Sequence, residues 1–62
     1  MEDNMEYGEF AAINMRNKLK GYGYSEIKVY DRRGNLLSSV NDHSIVTRIQ
    51  PLNDDEVKIV VR

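Results

Sequence analysis

From Tyr24 onward, apolar residues recur at every second position in short runs separated by polar turns. This alternation constrains the fold more than any other feature, because period two is the signature of strands with one buried face. Residues 24–31 read YSEIKVYD, with Ile27 and Val29 on one side and Glu26, Lys28 and Tyr30 on the other. Strands are expected over about 24–31, 35–40, 44–50 and 56–62. The connections at Asp31–Asn35, Asn41–His43 and Pro51–Asp55 carry the Gly, Pro, Asn and Asp that favour turns, and none is long enough for a helix. Gly34 suits the left-handed position of a three-residue Arg32-Arg33-Gly34 loop. Strands joined so closely are expected to pair antiparallel with their sequence neighbours.

The residues before Tyr24 read as one helix over about 4–20. Asp3 followed by Glu6 has the spacing of a capping box. Acidic residues (Glu2, Asp3, Glu6, Glu9) precede basic ones (Arg16, Lys18, Lys20), an order that complements the helix dipole. Gly21 is a natural terminator, and Gly8 weakens the first turns by up to about 1 kcal/mol. The expected architecture is a single α+β domain over 1–62. An N-terminal helix packs on a four-stranded antiparallel β-meander, in the order α-β-β-β-β.

Opposed residues share a face. With three-residue turns, the inner face collects Ile27, Val29, Leu37, Ile45, Thr47, Ile49, Val57, Ile59 and Val61. The outer face holds Glu26, Lys28, Tyr30, Leu36, Val40, Val46, Arg48, Lys58, Val60 and Arg62. It carries more apolar surface than a freely solvated face needs. On the helix, Ala11, Ala12, Met15, Leu19 and Tyr22 fall in one arc of about 100°, the expected core face. Phe10 and Ile13 fall roughly opposite; the alternative is a rotated helix that buries them and leaves Met15 or Ala12 outside.

A 62-residue chain buries only roughly 60% of its unfolded surface, and domains of this size usually need a staple. The chain has no cysteine and one histidine. A disulfide framework and a thiolate zinc site are excluded, and self-association is the staple left. Nine basic residues against ten acidic ones give a net charge of −1, which disfavours bulk electrostatic binding of nucleic acid and leaves room for a local basic patch. The segment MEDNMEYGEF lacks the apolar stretch of a secretory signal. No run approaches a membrane span, so no membrane partner is expected. A cytoplasmic location is expected.

The surplus apolar residues Phe10, Ile13, Tyr30, Leu36, Val40, Val46 and Val60 mark a candidate interface, with a homodimer or another protein as partner. Lys28, Arg32, Arg33, Arg48, Lys58 and Arg62 are candidate contacts for an anionic partner. Around Tyr30 they make a nucleic-acid module the alternative reading. His43 reads as a polar turn residue. The run Asp54-Asp55-Glu56 lacks the alternate ligand spacing and glycine of a calcium loop. Tyr22 and Tyr24 around Gly23 read as cover for the core edge. No phosphate-binding glycine loop, nucleophile elbow or paired catalytic constellation occurs, and Ser38, Ser39 and Ser44 have no evident base. The expectation is a small protein-interaction module (an adaptor, inhibitor or regulator), with no catalytic residues, no cofactor and no metal.

Overall fold

The computed structural model describes residues 5–62. Its elements are β1 (Met5–Glu6), α1 (Tyr7–Leu19), β2 (Glu26–Tyr30), β3 (Ile45–Pro51) and β4 (Glu56–Val61). The fold is α+β with one helix and four strands among the described residues, but the sheet is mixed. Its spatial order is β1-β3-β4-β2, with β1/β3 and β3/β4 antiparallel and β2/β4 parallel. This corrects the expected antiparallel meander and the order α-β-β-β-β. The hairpin β3–β4 inserts between β1 and β2, which run in the same direction, and α1 is the crossover that joins those two edge strands.

The meander fails at residues 35–40. The turn forms as expected: Gly34 has φ +90°, its N–H donates to the Asp31 carbonyl at 3.1 Å, and Asp31 Oδ1 accepts the Arg33 and Asn35 N–H groups. Beyond it only one bridge, Tyr30 to Leu36, is made, with the Leu37 N–H donating to the Val29 carbonyl at 2.8 Å. Leu37 and Val40 both pack against the core. Two residues three apart point to opposite sides of an extended strand, so burying both requires the chain to bend away. It then crosses to the start of α1, where the Asp42 and Ser44 carbonyls accept the Gly8 and Tyr7 N–H groups at 2.9 and 2.8 Å. These are donors a helix start leaves unpaired. Gly8 allows the approach, since a Cβ there would stand 3.1 Å from Asp42 Cβ.

The helix begins and ends for local reasons. Glu6 is the N-cap, and its N–H donates to the Glu9 carboxylate at 3.1 Å. The box therefore sits one turn later than the expected Asp3–Glu6 pair; Asp3 lies outside the described residues. At the other end Gly21, at φ +97°, donates to Lys18 and Tyr22 donates to Asn17, a full Schellman motif.

The core is Phe10, Val29, Val46, Val57, Ile59 and Val61, with Met5, Tyr7, Tyr24, Ile27, Leu37 and Val40 packed around it. Two expectations about it are corrected. First, Val46 is fully buried, not on the outer face. Pairing shifts between Val46↔Val61 and Arg48↔Val60, which leaves Thr47 as an extra residue, a β-bulge. The bulge reverses the alternation, so Val46 joins Val61 inside while Arg48 stays outside. Ile49, opposite Ile59, shares the inner face and is 42% exposed. Second, α1 buries Phe10 and Asn14, and leaves Met15 and Leu19 68% and 86% exposed. The rotated alternative holds for Phe10 but not for Ile13, which is exposed.

Asn14 explains the rotation. Its amide bonds the Tyr24 backbone at both ends: Nδ2 donates to the carbonyl at 3.0 Å, and Oδ1 accepts the N–H at 2.7 Å. That clamp fixes the helix against the entry to β2. Gly23 sits in the same junction, where a Cβ would lie 2.6 Å from the Asn14 carbonyl oxygen.

Candidate interaction face

The helix covers one side of the sheet and leaves the other open. On the open side the cross-strand registers align residues into rows. Arg48 opposes Val60, Val60 opposes Tyr30, and Tyr30 bridges to Leu36. The next row is Gln50, Lys58 and Lys28, followed by Glu56 and Glu26. An apolar and aromatic row thus lies beside a cationic row, and an acidic row lies beyond.

Like charges directly opposed on a ladder repel. Diagonal contacts relieve both pairs. Lys28 Nζ lies 3.3 Å from the Glu56 carboxylate, and Lys58 Nζ stands 5.0 Å above the Tyr30 ring centroid. Hydrogen bonding and charge attraction from Glu56 raise the Lys28 pKa above its ordinary value. The Glu56 carboxyl is held below its ordinary value, first by the Asn53 side chain and then by Glu26 and Lys28. Glu56 therefore holds Lys28 to the strand, while Arg48 is exposed on β3.

A shallow depression of about 450 Å³ opens at the end of the apolar row, lined by Tyr30, Arg32, Thr47, Arg48, Lys58 and Val60 among others. Thr47 Oγ1 donates to the Val60 carbonyl at 3.2 Å, so the bulge also forms the floor of this depression. Asp31, at its rim, is held below its ordinary pKa by the Asn35 and Arg33 backbone N–H groups of the turn. This carboxylate is committed to the turn, and the rim is cationic.

The candidate residues separate accordingly. Tyr30, Leu36, Val60, Arg32, Arg48 and Lys58 come together. Lys28 shares the face but is paired with Glu56. Arg33 is exposed in the turn, and Arg62 is exposed just past β4, its N–H donating to the Ile45 carbonyl. Phe10 and Val46 are buried and Val40 packs against the core, so none of these three belongs to an interface. Ile13 lies on α1, away from the open sheet face. His43 is in an exposed turn, 3.4 Å from the Glu6 carboxylate. Asn53 Oδ1 accepts the Asp55 and Glu56 N–H groups, which makes the acidic run an ordinary Asx-type turn.

The expected core arc places Leu19 inside, and Met15 outside only in the rotated alternative; both are exposed. No local signal marks it, because the Asn14–Tyr24 clamp that rotates the helix joins residues ten apart. Among the described residues no group of three or more His, Asp or Glu side chains is placed to hold a metal ion, and no helix is long and apolar enough to cross a membrane. Comparison with protein-family models, with curated proteins and with solved structures gives no match.

Proposed function

We propose that this chain is a non-catalytic binding module of the cytoplasm, an adaptor, inhibitor or regulator that docks an acidic protein segment on its open sheet face. The observation that carries this reading is the row Leu36–Tyr30–Val60–Arg48, an apolar strip one residue deep with Lys58 and Arg32 beside it. A segment that presents carboxylates around an apolar side chain complements such a strip. The apolar side chain packs on Leu36 and Val60 beside the Lys58-capped Tyr30 ring, and the carboxylates meet Arg48, Arg32 and Lys58. With Val46 and Val40 inside, the apolar part of this face narrows to Leu36, Tyr30 and Val60, and the cations around its depression, Arg32, Arg48 and Lys58, favour an acidic partner.

A nucleic-acid partner is the second reading. It needs Tyr30 as a stacking platform, but Lys58 already covers that ring, and no second aromatic residue stands in the row. The two readings separate by titration calorimetry. A short Glu/Leu peptide and oligothymidine are titrated into the protein at low and high salt. We expect the peptide to bind and the double variant Arg48→Glu with Lys58→Glu to abolish it. Oligothymidine binding with a log–log salt slope of about −0.7 per phosphate neutralised, without peptide binding, establishes the second reading instead.

A further inference from the structure

We propose that α1 is a self-association surface, on which a second copy of this chain lays its own α1 antiparallel. Ala12, Met15 and Leu19 are exposed and lie three and four residues apart, the spacing of a helix–helix seam; exposed Tyr22 continues it just past the helix end. The fold turns this stripe outward because Asn14 and Phe10 hold the opposite side of α1 to the sheet. A groove of about 540 Å³, lined by Met15, Leu19, Tyr24 and Ile27 among others, runs beside the stripe between α1 and β2. It gives the seam a concave flank.

Charge identifies the occupant and its direction. The acidic residues Glu6 and Glu9 stand at the start of α1, and the basic residues Arg16, Lys18 and Lys20 at its end. A parallel pair sets acid against acid and base against base. An antiparallel pair sets each acidic half against the other copy's basic half, and opposes the helix dipoles. The seam agrees, because small Ala12 then faces the second copy's larger Met15, and the reverse, so that large and small residues alternate. Glu9 and Arg16 are seven residues apart and lie on one flank of the stripe. The antiparallel pair therefore brings Glu9 across from the second copy's Arg16 twice, by symmetry.

Sedimentation equilibrium of the full chain, over a wide concentration range, tests this. The expected result is a dimer that Leu19→Glu converts to a monomer with an unchanged circular-dichroism spectrum, since Leu19 is 86% exposed and contributes little to the core. Arg16→Glu is expected to weaken the dimer about tenfold, because it sets Glu9 against a carboxylate at two symmetric places. A parallel pair predicts the opposite sign, as the new carboxylate then meets the basic end. A monomer at every concentration overturns the proposal. So does a dimer indifferent to Leu19→Glu, or one that Arg16→Glu strengthens. The outcome is independent of the sheet-face reading, because Leu19→Glu leaves the peptide titration unchanged if the two surfaces are distinct.

Discussion

Asn14 is the residue on which the placement of α1 depends. Its amide replaces a backbone bridge, satisfying the Tyr24 N–H and carbonyl where β2 is about to begin. Asn14→Ala leaves both groups without partners in a half-buried junction. We expect a loss of about 2–4 kcal/mol, read as a lower midpoint in urea unfolding at unchanged slope. Asn14→Asp keeps the acceptor but sets a buried carboxylate oxygen against the Tyr24 carbonyl, so at neutral pH it is expected to destabilise at least as much as Ala. Gly23→Ala is expected to destabilise by about 2 kcal/mol although the glycine has no positive φ, since a Cβ would also stand 2.7 Å from the Lys18 nitrogen. Gly21→Ala meets no atom within 4 Å and is penalised only by its left-handed backbone, by about 1 kcal/mol. At this scale the sequence was readable where the reason is local. Gly21 and Gly34 stand out because a turn or helix end needs a residue free of a Cβ clash. Asn14 does not, because its partner lies ten residues away and nothing in an asparagine announces a backbone it will bond.

The elements divide in the same way. The C-terminal end of α1, the Asp31–Asn35 turn and the strands β2, β3 and β4 follow from capping, turn chemistry and alternation and appear within two residues of their expected bounds, whereas α1 starts three residues late, at Tyr7, behind a Glu6–Glu9 box. The bulge at Thr47 does not follow, since an extra residue in a ladder changes which side chain faces inward without changing composition or hydrophobicity. Its consequence is testable. The outer-face placement of Val46 expected from the sequence makes Val46→Lys harmless to folding. The substitution is instead expected to unfold the domain, because a lysine there is fully buried between Met5 and Val61 with no partner. Arg48→Glu, two residues on and exposed, is expected to leave the unfolding midpoint nearly unchanged. Thermal melts of the two variants side by side distinguish the bulged register from a regular one. The 35–40 segment departs from its expected strand for a related reason. Leu36, Leu37 and Val40 look like a strand, yet Leu37 and Val40 reach the core together only if the chain leaves the ladder.

At the scale of the whole molecule, the arrangement depends on where the hairpin β3–β4 lies. Short connections argue for neighbours, and the chain instead spends residues 36–44 crossing from the β2 side to the start of α1. This makes β2 and β4 parallel and leaves one sheet face open. Three groups on or beside that face make the molecule sensitive to pH. Asp31 and Glu56 have lowered pKa values in the folded state. Their contribution is present above the ordinary carboxylate range and is lost as pH falls through the lowered values. Lys28 has a raised pKa, so its contribution is full below the ordinary lysine value and is lost as pH rises through the raised one. Stability should form a plateau across neutral pH with a limb on each side. Asp31→Asn is expected to flatten the acid limb alone. Glu56→Gln should flatten both limbs, because Glu56 is also the main cause of the Lys28 shift.

The open face is also where the functional reading stands or falls. Its row of residues was only half visible in the sequence: Tyr30, Leu36, Val60, Arg48 and Lys58 were singled out, but with buried Val46 and Val40 counted among them. The most direct measurement is a nitrogen-15 correlation spectrum of the labelled protein titrated with the Glu/Leu peptide. The account predicts shifts concentrated at Tyr30, Leu36, Arg48, Lys58 and Val60, with the amides of α1 unmoved. Shifts confined to α1, or no shift at any peptide concentration, contradict it.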